Sequence, residues 1–340
     1  METKLLLPSE ESLNLACELL KKGEVVAVPT ETVYGLAGNS ADGNAIKKIF
    51  EAKGRPADNP LIVHIANIEM LNGIVSDFND DARKLADAFW PGALTIIMPK
   101  GKKVCDETSA GLDSVGVRMP ANEIARKIIE KSGVAFSAPS ANISGRPSPT
   151  TAEDVFEDMN GKIPLIIDGG TCDAGVESTV ISVLEDIPVI LRPGIVTKED
   201  IENVLCKEVL VASEVLAGVK DDSKVRSPGM KYKHYAPKAD VVIIKSDIDL
   251  FIDYVLKNKT EKTFVMCFDG EETLMPVSAI SYGKKDDSAQ QAHNIFAILR
   301  MLDKKHAEQV FVRCPDMSGV GLAVYNRLIR SAGFKIIEIQ

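Results

Sequence analysis

The sequence has no long hydrophobic run, and this absence argues against a membrane span. Its apolar stretches, such as residues 61–65, stop far short of the roughly 18 residues that a transmembrane helix requires. The N-terminal segment METKLLLPSEESLNL also lacks the long apolar core and small-residue cleavage site of a signal peptide, because Pro8 and acidic residues interrupt it. These absences predict a soluble, cytoplasmic protein without a membrane partner.

Paired cysteines and an excess of positive charge are missing as well. The six cysteines are scattered without metal-ligand spacing, so neither a zinc site nor a disulfide framework is indicated. Lysine and arginine together number 40 against 49 acidic residues, which gives a net charge of -9. This balance argues against a protein that grips nucleic acid over a broad surface, since such binding needs many cationic phosphate contacts. A local basic pocket for a small polyanion stays open.

Several common catalytic motifs are absent. The sequence contains no Walker loop, HExxH, EF-hand or GxSxG motif. Gly319 and Gly321 supply only the first half of a dinucleotide-binding motif, and a turn at a helix start is the commoner use of such glycines. The chemistry is therefore expected to depend on electrostatic positioning of substrates.

Alternating strand-like and helix-like segments predict an α/β protein. The first two hundred residues contain many strands joined by short polar turns, which favours a mixed sheet with helices against it, including helices at residues 80–89, 122–131 and 198–205. A later αβ repeat predicts a smaller, Rossmann-like parallel sheet with crossover helices. We place the first domain at residues 1–206, a linker at residues 207–238 and the second domain at residues 239–340.

Polar and cationic side chains follow the predicted strands, where ligands bind in α/β sheets. In KGRPADNPLIVHI, Pro56 favours an extended conformation at Arg55, so Lys53 and Arg55 can address one anion together. Alternatively, Lys53 only complements a helix C-terminus, and His64 in the strand LIVHI is a hydrogen-bonded core residue. In VPTETVYGLAG, the hydroxyl groups either bind a ligand or cap a turn.

The segment AFSAPSANISGRPSPTTAEDV carries hydroxyl and amide groups but no neighbouring base. Such a loop at a strand end can hold phosphate without general-base chemistry, whereas a plain surface loop is the alternative. Arg118 and Arg192 each end an apolar strand near a proline, where an arginine is either solvated or a fork for carboxylate or phosphate. Four cations at the strand ends of an acidic protein favour the anion-binding interpretation.

Six motifs, in this order and spacing, closely resemble those of the YrdC-like threonylcarbamoyl-AMP synthases: PTETVYGLAG, KGRPADNPLIVHI, GVRMP, SAPSANISGRPSPT, ESTVISV and LRPG. The resemblance covers about the first two hundred residues and implies a YrdC-like twisted, open, mixed sheet. The segment SPGMKYKHYAP and the αβ domain after it resemble the long two-domain form. The implied reaction converts L-threonine, bicarbonate and ATP with Mg²⁺ into L-threonylcarbamoyl-AMP and pyrophosphate.

The resemblance also implies residue roles. The catalytic residues around the nucleotide and carbamate would be Lys53, Arg55, Ser140 and Asn142. Threonine would be held by Thr32, His64, Arg118, the backbone at Ala138, and Ser178. The ATP site would comprise Arg55, Asn59, Ser114, Ser140, Ser148, Arg192 and Tyr235. The product would pass to the tRNA threonylcarbamoyl-transferase machinery, for modification of tRNA position 37, without stable binding of nucleic acid.

The aromatic and basic segment around Tyr232, His234 and Tyr235 is unlike a simple spacer. We therefore expect the linker to fold over the nucleotide site as a lid, with Tyr235 at the ATP. The alternative to an enzyme is an RNA-binding or ribosome-maturation module, in which the same cations would hold a nucleic-acid backbone. The net negative charge weighs against that alternative.

Overall fold

A computed structural model of the chain describes residues 2–217 and 235–340. Two sheets organise these residues, one with 11 strands and one with five. Tyr232 and His234 of the expected lid lie outside the described residues. Within the described ranges, no helix is both long enough and apolar enough to cross a membrane.

The large sheet is mixed, as the sequence predicts. Its strands are β1 (Lys4–Leu6), β2 (Val26–Val28), β3 (Gly35–Asn39), β4 (Ile62–His64), β5 (Leu94–Pro99), β6 (Ser114–Arg118), β7 (Phe136–Ser137), β8 (Leu165–Ile167), β9 (Thr179–Ser182), β10 (Val189–Arg192) and β11 (Leu210–Val211). They lie in the order β1-β8-β2-β3-β7-β4-β6-β5-β9-β10-β11. The sheet contains both parallel pairs, such as β4 with β6, and antiparallel pairs, such as β5 with β6.

Helices cover this sheet, and their ends follow local sequence signals. They are α1 (Glu10–Lys21), α2 (Gly43–Lys53), α3 (Asp80–Phe89), α4 (Asp106–Ser109), α5 (Glu123–Ser132), α6 (Ala152–Met159), α7 (Lys198–Leu205) and α8 (Glu214–Ala217). Ser9 caps α1, and Gly54 ends α2 in the left-handed conformation that glycine adopts readily. The predicted helices at residues 80–89 and 198–205 are confirmed. The predicted helix at 122–131 begins one residue later because Asn122 is its N-cap.

Strand β3 was not predicted, because its sequence GLAGN contains two glycines, which weaken strand propensity. The structure shows why small residues are needed there. A Cβ atom on Gly35 would lie 3.0 Å from Cβ of Ala138, and one on Gly38 would lie 2.9 Å from Cδ1 of Ile49. Tertiary packing therefore outweighs the local preference and brings β3 close to its neighbours.

The second sheet is parallel throughout and follows the predicted αβ repeat. Its strands are β12 (Asp240–Lys245), β13 (Thr263–Cys267), β14 (Ser278–Ser281), β15 (Gln309–Arg313) and β16 (Ile336–Glu338), in the order β14-β13-β15-β12-β16. Its helices are α9 (Ile248–Asn258), α10 (Ser288–Lys304) and α11 (Gly319–Ser331). Together the two sheets confirm the α/β class. Strand β14 is an addition that the sequence pattern did not indicate.

Helices α10 and α11 pack against the loops of the large sheet. One continuous apolar cluster contains Val33 and Val176 from those loops together with Phe296 of α10 and Val324 of α11. The approach is close at Gly175, where an added Cβ would lie 2.4 Å from both Cα and the carbonyl oxygen of His293. The second domain therefore rests directly on loops that follow the strands of the first.

We predict that Gly175→Ala weakens this packing more than backbone strain alone would. Gly175 has a φ of 72°, and Gly170 in the same loop has a φ of 80° with open space around it. Gly170→Ala should lower the free energy of unfolding by about 1–2 kcal/mol through the left-handed backbone, and Gly175→Ala by about 1–3 kcal/mol more through the clash. Denaturant unfolding measures both values. Equal losses in the two variants would contradict the close packing.

Candidate functional site

A cleft opens where several strands of the large sheet end. Ser178, just before β9, and Arg192, the last residue of β10, lie on one side, and the loop after β7 lies on the other. Most of the predicted site residues line it: Thr32, Lys53, Arg55, His64, Arg118, Ala138, Ser140, Asn142, Ser178, Arg192 and Tyr235. The structure therefore brings together residues from six separated motifs and from the end of the linker.

Lys53 is buried at the C-terminal end of α2, and its ammonium group reaches across to the loop after β7. The Nζ atom donates to the main-chain carbonyls of Ser140 and Asn142, the latter at 2.8 Å, and to Oδ1 of Asn142 at 3.4 Å. Burial, with Arg55 nearby, holds the pKa of Lys53 well below its ordinary value. The lysine thus ties two predicted catalytic residues together.

Arg55 is only loosely held. Its Nη2 atom lies 3.4 Å from the carbonyl oxygens of both Asn59 and Pro60, and among the described residues its Nε atom has no hydrogen-bond partner. Burial lowers the pKa of Arg55 to about 10, so the side chain still carries its charge at neutral pH. A charged guanidinium with spare donors is suited to bind an anion such as phosphate.

Arg118 is fixed on three sides at the end of β6. It donates to the hydroxyl of Thr32 at 2.8 Å and to the carbonyl of Gly92 at 3.1 Å, and Glu31 Oε1 lies 2.6 Å from its Nη2 atom. Burial works to raise the pKa of Glu31, but the charge of Arg118 outweighs it and lowers that pKa. The ion pair keeps the Glu31 carboxylate charged and orients the guanidinium.

His64 lies beside Arg118 and is neutral. The two residues are paired in register across β4 and β6, and the His64 ring stacks on Phe136 at a centroid distance of 5.5 Å. Its Nδ1 atom is 3.2 Å from the carbonyl oxygen of Ile62. Burial, with the charge of Arg118, lowers the pKa of His64 to about 3. The imidazole is therefore suited to neutral hydrogen bonding rather than to proton transfer near pH 7.

Arg192 holds the opposite wall. Its Nε atom donates to the carbonyl of Ser178 at 3.0 Å and its Nη2 atom to the Ser178 hydroxyl at 3.1 Å, and that hydroxyl also contacts Thr95 at 2.8 Å. Burial lowers the pKa of Arg192 to about 10. Like Arg55, this arginine keeps its positive charge at neutral pH.

Three predicted site residues do not line the cleft itself. Asn59 is buried beside Arg55, and among the described residues its Oδ1 atom has no hydrogen-bond partner. Ser148 is fully buried and donates to Oε1 of Glu177 at 2.5 Å. Ser114 lines a small neighbouring pocket that also contains Pro60. Their roles at a nucleotide site stay predictions.

The sequence interpretation missed several charged groups around the cleft. Glu31 and Glu177 lie inside the motifs PTETVYGLAG and ESTVISV. An acidic residue next to a buried strand was the feature of the sequence that could have indicated them. Arg146 lines the cleft from the loop after β7. Arg327 of α11 reaches Glu177 from the second domain, and its only signal was an arginine on the apolar face of a helix.

The arrangement is built for holding anions. Lys53, Arg55, Arg118 and Arg192 line one cleft, but only Arg118 and Arg192 end strands, whereas Lys53 ends α2 and Arg55 follows it. In the part of the chain that the structure describes, no group of three or more histidine, cysteine or acidic side chains is placed to bind a metal ion. Such a site can neutralise and align a negatively charged substrate.

The chain resembles known proteins over nearly its whole length. A family model described as "Telomere recombination" matches residues 18–194, and one described as "Threonylcarbamoyl-AMP synthase, C-terminal domain" matches residues 196–333. Threonylcarbamoyl-AMP synthase of Pyrococcus abyssi is 43% identical over 97% of this chain and 96% of its own. The Bacillus subtilis enzyme of that name is 43% identical over 95% of this chain and 93% of its own.

A solved structure agrees with this similarity. The crystal structure of Pyrococcus abyssi Sua5 complexed with L-threonine superposes with a TM-score of 0.93 at 42% identity. The match covers 99% of this chain and all of that chain.

We predict that His64 makes stability fall as the pH is lowered. The unfolded chain takes up a proton near the ordinary histidine pKa of about 6.5, whereas the folded protein stays neutral there until about pH 3. The unfolded state therefore binds more protons between these values. Between pH 7 and pH 5, this coupling should remove about 2 kcal/mol of stability.

Denaturant unfolding at the two pH values measures this effect. His64→Gln should lose about 2 kcal/mol less than the wild type between pH 7 and pH 5. His306→Gln removes an exposed histidine and serves as the control. The same pH dependence in all three proteins would contradict the burial of a neutral His64.

Proposed function

The chain belongs to the threonylcarbamoyl-AMP synthase family and is a threonylcarbamoyl-AMP synthase. We propose that its reaction takes place in the cleft described above. L-Threonine, bicarbonate and ATP are the proposed substrates. The observation that carries this assignment is the convergence of Lys53, Arg55, Arg118 and Arg192 on one cleft. The relative of known structure that binds L-threonine supports the choice of amino acid.

The proposed chemistry needs no protein nucleophile. The threonine amine combines with bicarbonate to form a carbamate and water, and a carbamate oxygen then attacks the α-phosphate of ATP. The bond from the α-phosphorus to the bridging oxygen breaks, and pyrophosphate leaves. The enzyme contributes by aligning the carbamate with the phosphate and by offsetting the negative charge of both.

The threonine half of the cleft is assigned to the strands around Arg118. In our proposal its guanidinium pairs with the threonine carboxylate, while Thr32, Ser178 and the backbone at Ala138 hold the rest of the amino acid. The partly exposed Glu31 orients the guanidinium through the 2.6 Å contact. The neutral His64 offers a hydrogen bond without adding charge to a site that already holds several cations.

The nucleotide half is assigned to the loops on the other side of the cleft. Arg55 and Lys53 face the phosphates, with Ser140 and Asn142 fixed by the lysine. The remaining proposed ATP residues are Asn59, Ser114, Ser148, Arg192 and Tyr235. Magnesium enters as part of the MgATP substrate, with phosphate oxygens as its main ligands.

Incubation of the chain with ATP, bicarbonate and L-threonine tests the assignment. We expect pyrophosphate release that depends on all three substrates, together with the mass of threonylcarbamoyl-AMP. We further propose that this unstable product passes to the tRNA threonylcarbamoyl-transferase machinery. Pyrophosphate release that does not depend on threonine would contradict the proposed substrates.

We predict that Lys53→Ala and Arg55→Ala each abolish most of the synthesis. Each variant removes a cation that offsets phosphate charge, an effect of about 2.7 to 4 kcal/mol for comparable electrostatic groups, or about a 100- to 1000-fold loss of rate. Pyrophosphate release measures the effect. The control is Lys47→Ala, which removes an exposed lysine of the same helix that contacts Glu107. Near-normal rates for both cleft variants would refute their assignment.

We predict that Arg118→Ala greatly weakens threonine binding, because it removes the partner of the carboxylate and leaves Glu31 without its cation. Wild-type selectivity for threonine over serine should be modest, about 1 to 3 kcal/mol, if it depends only on the methyl group. Steady-state kinetics with each amino acid measure both effects. The control is Arg83→Ala, which removes an exposed arginine. An unchanged apparent threonine affinity in Arg118→Ala would make that arginine structural.

A further inference from the structure

Arg327 of α11 crosses from the second domain to the wall of the cleft. It has no exposed surface, and its hydrogen bonds to described residues outside its own helix are all with the first domain. It donates to Oε2 of Glu177 at 2.9 Å, to the Glu177 carbonyl at 3.2 Å and to the Pro193 carbonyl at 2.7 Å. The planar guanidinium therefore fixes the backbone just before β9 and just after β10.

Glu177 carries this contact onward into the cleft. Its carboxylate lines the cleft and accepts the hydrogen bond of the fully buried Ser148 at 2.5 Å. Burial works to raise the pKa of Glu177, but the charges of Arg327 and Arg192 outweigh it and keep the carboxylate ionised. Arg327 is thus connected through one carboxylate to a proposed ATP residue.

Arg300 of α10 makes a second crossing. Its Nη2 atom donates to the carbonyl of Pro147 at 2.7 Å and to Oδ2 of Asp158 at 2.8 Å. Asp158 in turn accepts from the backbone N–H of Ile143 at 3.2 Å and pairs with Arg146, which lines the cleft. The segment of residues 142–148, called here the 142–148 loop, is therefore held at both of its ends.

These contacts go beyond what domain docking requires. The apolar cluster around Val33, Val176 and Phe296 already joins the domains without any charge. Buried ion pairs add little net stability, because desolvation of the charges offsets their attraction, so packing alone could serve as well. Both arginines, by contrast, donate hydrogen bonds to backbone or carboxylate groups that shape the nucleotide half of the cleft.

We propose that Arg300 and Arg327 are positioning residues that hold the 142–148 loop and Glu177 in the geometry that binds ATP. The second domain thereby completes the nucleotide half of the cleft, whereas every residue assigned to threonine above lies in the first domain. This inference rests on the proposed function, because the proposed function assigns one half of the cleft to threonine and the other half to ATP. Its consequence is that losing either arginine impairs the use of ATP without impairing the binding of threonine.

The test compares the full-length variants Arg327→Met and Arg300→Met with the wild-type chain. Pyrophosphate release is measured with ATP and threonine varied in turn, and threonine binding alone is measured by calorimetry. We expect kcat/KM for ATP to fall by about 10- to 100-fold, as when a supporting residue of a site is removed. The affinity for threonine alone should stay at the wild-type value.

Arg313→Met is the matched control. Arg313 is also buried in the second domain but pairs with Glu271 of its own domain at 3.1 Å and 3.3 Å. It should keep the wild-type kcat/KM for ATP, even where its melting temperature falls. If catalysis falls in proportion to melting temperature in all three variants, the role of Arg300 and Arg327 is structural and the proposal is overturned.

Further variants keep the proposal testable if the methionine variants fail to fold. Arg327→Lys and Arg300→Lys keep the charge but lose the planar fork, so they should fold and still show the ATP defect. Glu177→Gln combined with Arg327→Met removes both buried charges together and should likewise fold with poor use of ATP. Folded variants with wild-type kcat/KM for ATP overturn the proposal. An inactive wild-type chain would instead overturn the proposed function.

Discussion

The burial of several cations around one cleft is the constraint on which the rest of the structure depends. Lys53, Arg118 and Arg192 are all largely removed from water, and each such charge is costly unless it is paired or hydrogen-bonded. The protein meets this cost with groups that are themselves held rigidly. Carbonyls of the loop after β7 accept hydrogen bonds from Lys53, Glu31 forms an ion pair with Arg118, and the Ser178 carbonyl accepts a hydrogen bond from Arg192. Arg55, the most loosely bonded cation, is left with donors for a ligand.

This requirement also explains how the two domains share the site. Glu177 offsets the charge of Arg192, yet it is itself a buried carboxylate that needs more than one partner. Arg327 supplies the second cation from α11, and Arg300 supports the adjoining loop from α10. The cleft is therefore finished by side chains that lie about 150 residues away along the chain.

Much of the fold could be predicted because local signals decide element ends. Ser9, Asn122 and Gly54 set helix boundaries through capping and backbone conformation, which depend on neighbouring residues only. Strand β3 could not be predicted in this way. Its glycines read locally as a turn, and only the close approach of Ala138 and Ile49 shows that they are needed in a strand.

The same division applies to the site. The sequence by itself determined the α/β class, the positions of Arg118 and Arg192 at strand ends and the family to which the motifs belong, because these follow from local periodicity and from residue order. Only the tertiary structure decided that Ser148 bonds to Glu177, that Glu31 faces Arg118, and that Arg327 reaches the cleft. Such contacts join residues far apart in the chain, and burial selects them through the cost of leaving a charge or polar group without a partner.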